Sequence, residues 1–287
     1  MLYLSLSVLF SSLIFVIFKL FKTYKIDTLY AIITNYVVAF LVGLIYYPEK
    51  VNLAEIPEKP WFIGTFLLGL LFILVFNLMA VTAQKVGVSV ASVATKMSLV
   101  IPVVFGVFMY NEVLSPLKIA GIILALVAVY FASSKEKSTT VKSSSFLLPT
   151  LVFVGSGLID TSLKFTQETY VEEKEFSLFS AIIFGCAAII GILFILIRAF
   201  KKPLSINLKN IIGGIILGVP NFFSIFFLLK ALKSDTFNSA SIFTINNVAI
   251  VMFSTLLGIL LFKERVSLKN WGGIILAIIS ILLVAFF

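Results

Sequence analysis

Histidine is absent from this chain, cysteine occurs once, at Cys186, and charged residues make up only 12% of the 287 positions. Without histidine the chain lacks the commonest metal ligand and the commonest acid–base group near neutral pH. That weighs against an embedded metalloprotease and against a histidine-based hydrolase. A lone cysteine inside an apolar run excludes an intrachain disulfide and argues against a thiolate metal site, so no cofactor and no metal is expected. Acidic residues are also scarce, 13 against 22 basic ones. What fills the chain instead is apolar: 61% of it is hydrophobic, including 30 Phe, far above the roughly half of a globular domain. The composition is that of an integral membrane protein. The first apolar run, Leu2 to Phe18, has no basic region before it and no small-residue cleavage site after it, and reads as the first span rather than as a signal peptide.

At about 20 apolar residues per span, the sequence predicts ten transmembrane helices: 2–18, 28–47, 61–83, 88–109, 115–132, 146–166, 176–198, 209–230, 238–262 and 268–286. Helices are the expected element, because open sheets cannot satisfy their backbone groups in lipid and these runs are too long and continuous for barrel strands. Tyr30, Tyr46, Tyr47, Trp61, Tyr110, Tyr130 and Trp271 fall at span ends, where amphipathic rings suit the membrane–water boundary.

The chain is also internally repeated. NEVLSPLKIAGIILA (111–125) aligns without gaps to KERVSLKNWGGIILA (263–277), with Glu112/Glu264, Ser115/Ser267 and Gly121/Gly273 among the identities. Lys19 matches Lys164, and Ala31-Ile32-Ile33 matches Ala181-Ile182-Ile183. The most polar stretch, SSKEKSTTVKSSS (133–145), separates the copies and reads as a linker between a first five-helix repeat (1–132) and a second (146–287). Five spans per copy is an odd number, so the second copy enters the membrane inverted. The expected fold is therefore an all-α membrane protein of ten helices in two inverted five-helix repeats, with a site at the midplane where they meet.

The loops after spans 1, 3, 5, 7 and 9 hold fourteen basic residues: Lys19, Lys22, Lys25, Lys85, Lys135, Lys137, Lys142, Arg198, Lys201, Lys202, Lys209, Lys263, Arg265 and Lys269. The opposite face holds six: Lys50, Lys59, Lys118, Lys174, Lys230 and Lys233. The net charge of +9 is thus distributed as orientation signals rather than as a nucleic-acid surface, and the positive-inside rule puts both termini outside.

Asn111-Glu112 with Gly121, Lys263-Glu264-Arg265 with Gly273, Ala231-Leu232-Lys233 before the ninth span, and Pro102 in the fourth carry a resemblance to the drug/metabolite transporter superfamily, specifically EamA-type transporters. The resemblance covers nearly the whole chain. It implies a multi-pass protein of the inner membrane that exports or exchanges small metabolites, and it implies that both termini are cytoplasmic, opposite to the loop charges. The second half departs from the pattern with Ser254 where Pro102 stands, so helix breaking is expected in one half only.

Charges inside spans cost about 2.5–3.5 kcal/mol each and so mark candidate sites. Lys96 lies in the fourth span, and its repeat mate, allowing one residue of slip, is Asn247, beside Asn246. Lys96 is expected to hold an anionic group while Asn246 and Asn247 orient it; the alternative is that Lys96 neutralises Asp160 and the asparagines only join helices. Asp160 and Lys164 are spaced i,i+4, as an ion pair or as a proton-coupling site. Asn77 and Asn221 are deep enough to line a cavity. Lys19 and Lys164 read as snorkelling side chains, Glu112 and Glu264 as caps of the helices that follow them, and the Glu172, Glu173 and Glu175 cluster as solvated. The partners expected are a small-molecule substrate and the lipid bilayer, with no nucleic acid; monomer and homodimer are both left open. The readings kept beside a metabolite carrier are a carrier of lipids or hydrophobic cations on the same fold and a membrane-embedded enzyme of lipid metabolism.

Overall fold

In the computed structural model the described residues are 2–47, 52, 54–110, 115–133, 144–172, 175–200, 207–232 and 239–286. They form α1 (Leu2–Thr23), α2 (Thr28–Ile45), α3 (Phe62–Lys85), α4 (Val88–Met97), α5 (Val100–Tyr110), α6 (Pro116–Ser133), α7 (Ser144–Tyr170), α8 (Phe176–Ala199), α9 (Leu208–Leu232), α10 (Ser239–Phe262) and α11 (Leu268–Phe286), plus one 3₁₀ turn at Ile56–Glu58. Eight segments are long and apolar enough to cross a membrane, and two shorter apolar helices, Pro116–Ala132 and Leu268–Val284, complete ten. There is no strand among the described residues. The all-helical, inverted two-repeat expectation holds. Asn111, Glu112 and most of the stretch 133–145 lie outside the described residues.

The fourth span is two helices rather than one. Pro102 has no N–H to give the carbonyl of Ser98, and its ring crowds that carbonyl, so the helix opens one turn earlier, at Ser98-Leu99. The Ser98 carbonyl is taken instead by the amide of Ile101 at 2.9 Å. The ninth span, α10, has Ser254 at the matching place and runs unbroken.

The alternation of spans across the membrane is written into the contacts of the loops. On the lysine-rich face, Asp27 caps α2 by accepting from Leu29 at 3.1 Å and its own amide donates to Asn210 Oδ1 at 2.9 Å. There Gln84 Nε2 donates to the Phe18 carbonyl at 3.0 Å, and Asn270 Nδ2 to the Ala132 carbonyl at 2.8 Å. On the face carrying the termini, Glu175 accepts from Lys59 Nζ at 2.7 Å and from Trp61 Nε1 at 2.9 Å. This corrects two expectations: Trp61 is fully buried rather than part of an interfacial belt, and Glu175 is buried rather than solvated, because each satisfies the other. The charged partner also holds the Lys59 ammonium above its usual pKa, chiefly through that hydrogen bond.

Three apolar clusters form among the described residues, two large ones and a small one around Leu4, Ala231 and Ile242. The largest joins α1, α2, α3, α4, α7 and α8, centred on Phe18, Tyr36, Phe72 and Phe76, whose rings meet edge-on or tilted at centroid distances of 5.6–6.5 Å. Tyr36 is wholly buried, and its hydroxyl donates to the Phe72 carbonyl at 2.8 Å, so the phenol is satisfied where it lies. The second large one joins α4, α6, α10 and α11. Within it α6 and α11, which are repeat mates, pack along their whole length. Gly121 and Gly273 make this possible: a Cβ on Gly273 would run into the backbone nitrogen of Ala132, and one on Gly121 would meet Val284 at 2.9 Å.

Candidate functional site

The repeated serines cap the helices that follow, and in the second half Glu264 does not. Ser115 Oγ accepts from the Lys118 amide at 3.1 Å at the start of α6, and Ser267 Oγ from the Asn270 amide at 3.2 Å at the start of α11. Glu264 is thereby released for another partner. It accepts from the Val88 amide with both oxygens, at 2.9 and 3.1 Å, from Ser89 Oγ at 3.4 Å, and pairs with Lys19 Nζ at 3.2 Å. It caps α4, not α11, and Lys19 is an ion-pair partner rather than a snorkelling side chain. An N-terminal helix end favours a carboxylate by charge and by open amide donors, and the lysine neutralises it.

The other end of α4 carries Lys96, two residues before the break. Its side chain is half-buried and makes no hydrogen bond or ion pair among the described residues. Ser98, in the break itself, donates to the Thr95 carbonyl at 2.6 Å and reaches Asp160 Oδ2 on α7 at 3.3 Å. Lys96 and Asp160 act on one another electrostatically, yet they do not close to an ion pair. Asp160 does not pair with Lys164 one turn on; its hydrogen bond and its charge neighbour both come from the broken span.

Exposure along α7 shows where these charges point. Leu147, Leu151, Val154 and Leu158 are exposed and share one face, the lipid side. At 3.6 residues per turn Asp160 lies about 150° from the centre of that face, and Lys164 about 110°. Both are exposed all the same, although neither lies on that lipid-facing stripe.

The asparagines divide. Asn246 is 2% exposed in the packed stripe Ile242–Asn246–Ile250, and its Oδ1 has no hydrogen-bond partner. Asn247 beside it is half-buried. Neither bonds to Lys96. Asn77 donates to the carbonyl of Ile73 in its own helix at 2.8 Å and is half-buried. Asn221 is 3% exposed and donates to Asn35 Oδ1 at 3.1 Å, which commits it to the seam between α2 and α9 instead of a cavity wall. Sequence reasoning did not single out Ser98. Its position four residues before Pro102, where a proline frees a carbonyl and opens a turn, is the signal that finds it.

The repeat mates do not pack alike. Toward the lysine-rich face α1 packs on α3 and α4, and the Glu264 cap closes over them. Among the repeat mates α7 makes no substantial contact with α9 or α10 among the described residues. The Glu264 carboxylate thus ties α1, α4 and the end of α10 together at the lysine-rich face, while Lys96, Ser98 and Asp160 gather at the break in the fourth span.

A ten-helix bundle of two inverted halves, broken in one central span and carrying opposite charges at that break, is the architecture of a multi-pass membrane carrier. The comparisons agree with it. The chain belongs to the EamA-like transporter family, whose pattern it matches over residues 1–134 and 147–286. It is 31% identical over 231 residues, 80% of this chain and 76% of the relative, to a Haemophilus influenzae protein described as uncharacterized. A solved crystal structure shares the fold with a TM-score of 0.59 over 98% of this chain and 94% of that one, at 16% identity.

Proposed function

We propose that this membrane transporter is an inner-membrane exporter or exchanger of a small metabolite carrying a carboxylate, an amino acid or an organic acid, by alternating access of the two halves. The observation that carries the reading is Lys96 at the helix break, half-buried and without a hydrogen bond or ion pair among the described residues, with Asp160 bonded to Ser98 in the same break. An ammonium kept inside a span without an ion pair is costly, and a substrate carboxylate would offset that cost on binding. Asp160 would receive the substrate's ammonium, which favours an amino acid over a dicarboxylate. Asn247, next to the buried Asn246, would line the approach. No covalent step is involved; the halves rock about the bound solute, with water reaching it from one face at a time.

The test is transport in proteoliposomes against amino acids, organic acids and quaternary cations. Lys96→Ala should lower transport of carboxylate-bearing solutes about 100-fold, the loss of one buried charge-assisted contact of about 3 kcal/mol. Asp160→Asn should spare organic acids and reduce amino acids. Unaltered amino-acid transport in Lys96→Ala would overturn the reading, and transport of quaternary cations alone would favour a carrier of hydrophobic cations.

A further inference from the structure

Glu264 lies 176 residues from the amide it caps, in the short connection between α10 and α11, and its geometry is built around that reach. Gly87, just ahead of α4, has φ +150, where a side chain would be strained, and a Cβ there would sit 3.1 Å from Glu264 Oε2. A Cβ on Gly258 would come even closer, 2.7 Å from the same oxygen. Two glycines therefore make room for one carboxylate between α4 and α10. That carboxylate joins three elements at the lysine-rich face, α1 through Lys19, α4 through its first amide, and the end of α10.

The repeat gives this arrangement a counterpart. Glu264 is the mate of Glu112, Lys19 is the mate of Lys164, and α4 is the mate of the start of α10. Among the described residues α7 and α10 make no substantial contact, and Glu112 lies outside them. A carrier that alternates must exchange the two situations, opening where Glu264 now closes.

We propose that Glu264 is the latch of the gate at the lysine-rich face: capping of α4 and pairing with Lys19 hold the gate shut, and release of both opens the path from that face to Lys96. Glu264 is a positioning residue, since it reaches the substrate only through α4. The inference goes beyond the substrate reading, and its test uses no substrate, so the two can fail separately.

Ser92 lies on α4 between the latch and Lys96; it is fully buried and accepts from Ser254 Oγ at 2.7 Å. With Ser92→Cys in place, labelling by a membrane-impermeant thiol reagent applied to the lysine-rich face of sealed vesicles reports gate opening. Native Cys186, buried in α8, serves as the internal control. Glu264→Gln and Lys19→Met should each raise the labelling rate at residue 92 about tenfold and leave Cys186 slow, as expected for a population shift. The Lys19 variant retains the cap, so it keeps the test alive if the Glu264 variant does not insert. Unchanged labelling at residue 92 in both variants would overturn the proposal even if transport fell, and so would a parallel rise at Cys186, which would mean loosening of the whole bundle.

Discussion

The two halves of the chain share a fold and differ in two ways, and the differences are of opposite kinds. One is covalent: Pro102 breaks the fourth span at Ser98-Leu99, while Ser254 leaves the ninth intact. The other is conformational: α1 is packed on α3 and α4, while α7 makes no substantial contact with α9 or α10 among the described residues. A transport cycle can exchange the second difference between the halves. It cannot exchange the first. The break, and with it Lys96 and Ser98, therefore belongs to the first half in every state, and on the proposed reading the solute would meet an asymmetric site between two halves of the same fold.

That contrast can be attacked at either end. The largest effect is expected from Ser254→Pro, which would impose the first half's break on the second. It removes a backbone bond in the middle of α10 and the hydroxyl that donates to Ser92, and should cost about 3 kcal/mol or more, read as a fall in thermal stability in detergent. Survival of the variant at parental stability would mean that the ninth span tolerates the break and that the asymmetry is accidental. Next comes Gly258→Ala, whose new methyl group presses on Glu264 Oε2 without touching any charge. It should open the lysine-rich face by several-fold in the cysteine-labelling assay while leaving thermal stability within about 1 kcal/mol. The smallest effect belongs to the tie on the terminal face. Lys59→Met removes a partly exposed ion pair but leaves Trp61 donating to Glu175, and should cost at most about 1 kcal/mol. Because the folded state raises the Lys59 pKa, that contribution is complete below the ordinary lysine value and fades as pH rises through the raised one. The parent and variant should therefore converge in stability only in alkaline solution, above about pH 10.

Much of the architecture could be read from periodicity alone. The runs that became helices match their forecast bounds closely, because a span has to satisfy its backbone locally and so declares itself locally. The repeat was legible for the same reason, through Glu264, Ser267 and Gly273 and their mates. What escaped was pairing over distance. Nothing near Glu264 in the sequence distinguishes a cap on its own following helix from a cap on α4, and nothing near Trp61 foretells that Glu175 buries it. Asp160 illustrates the limit most plainly: a lysine one turn away on the same helix is the obvious partner in sequence, and the structure sets it opposite a lysine and a serine from the broken span instead.

The α6–α11 pair has a thermodynamic meaning that its packing alone does not convey. The two helices are each other's mates, so their contact lies on the axis that relates the halves, and exchanging the halves maps the contact onto itself. Whatever free energy is stored between Gly121, Gly273, Ala132 and Ser280 enters both end states equally and cancels from their equilibrium constant. In an alternating cycle this seam would act as a bearing, as tight as folding requires without biasing which face of the protein is open.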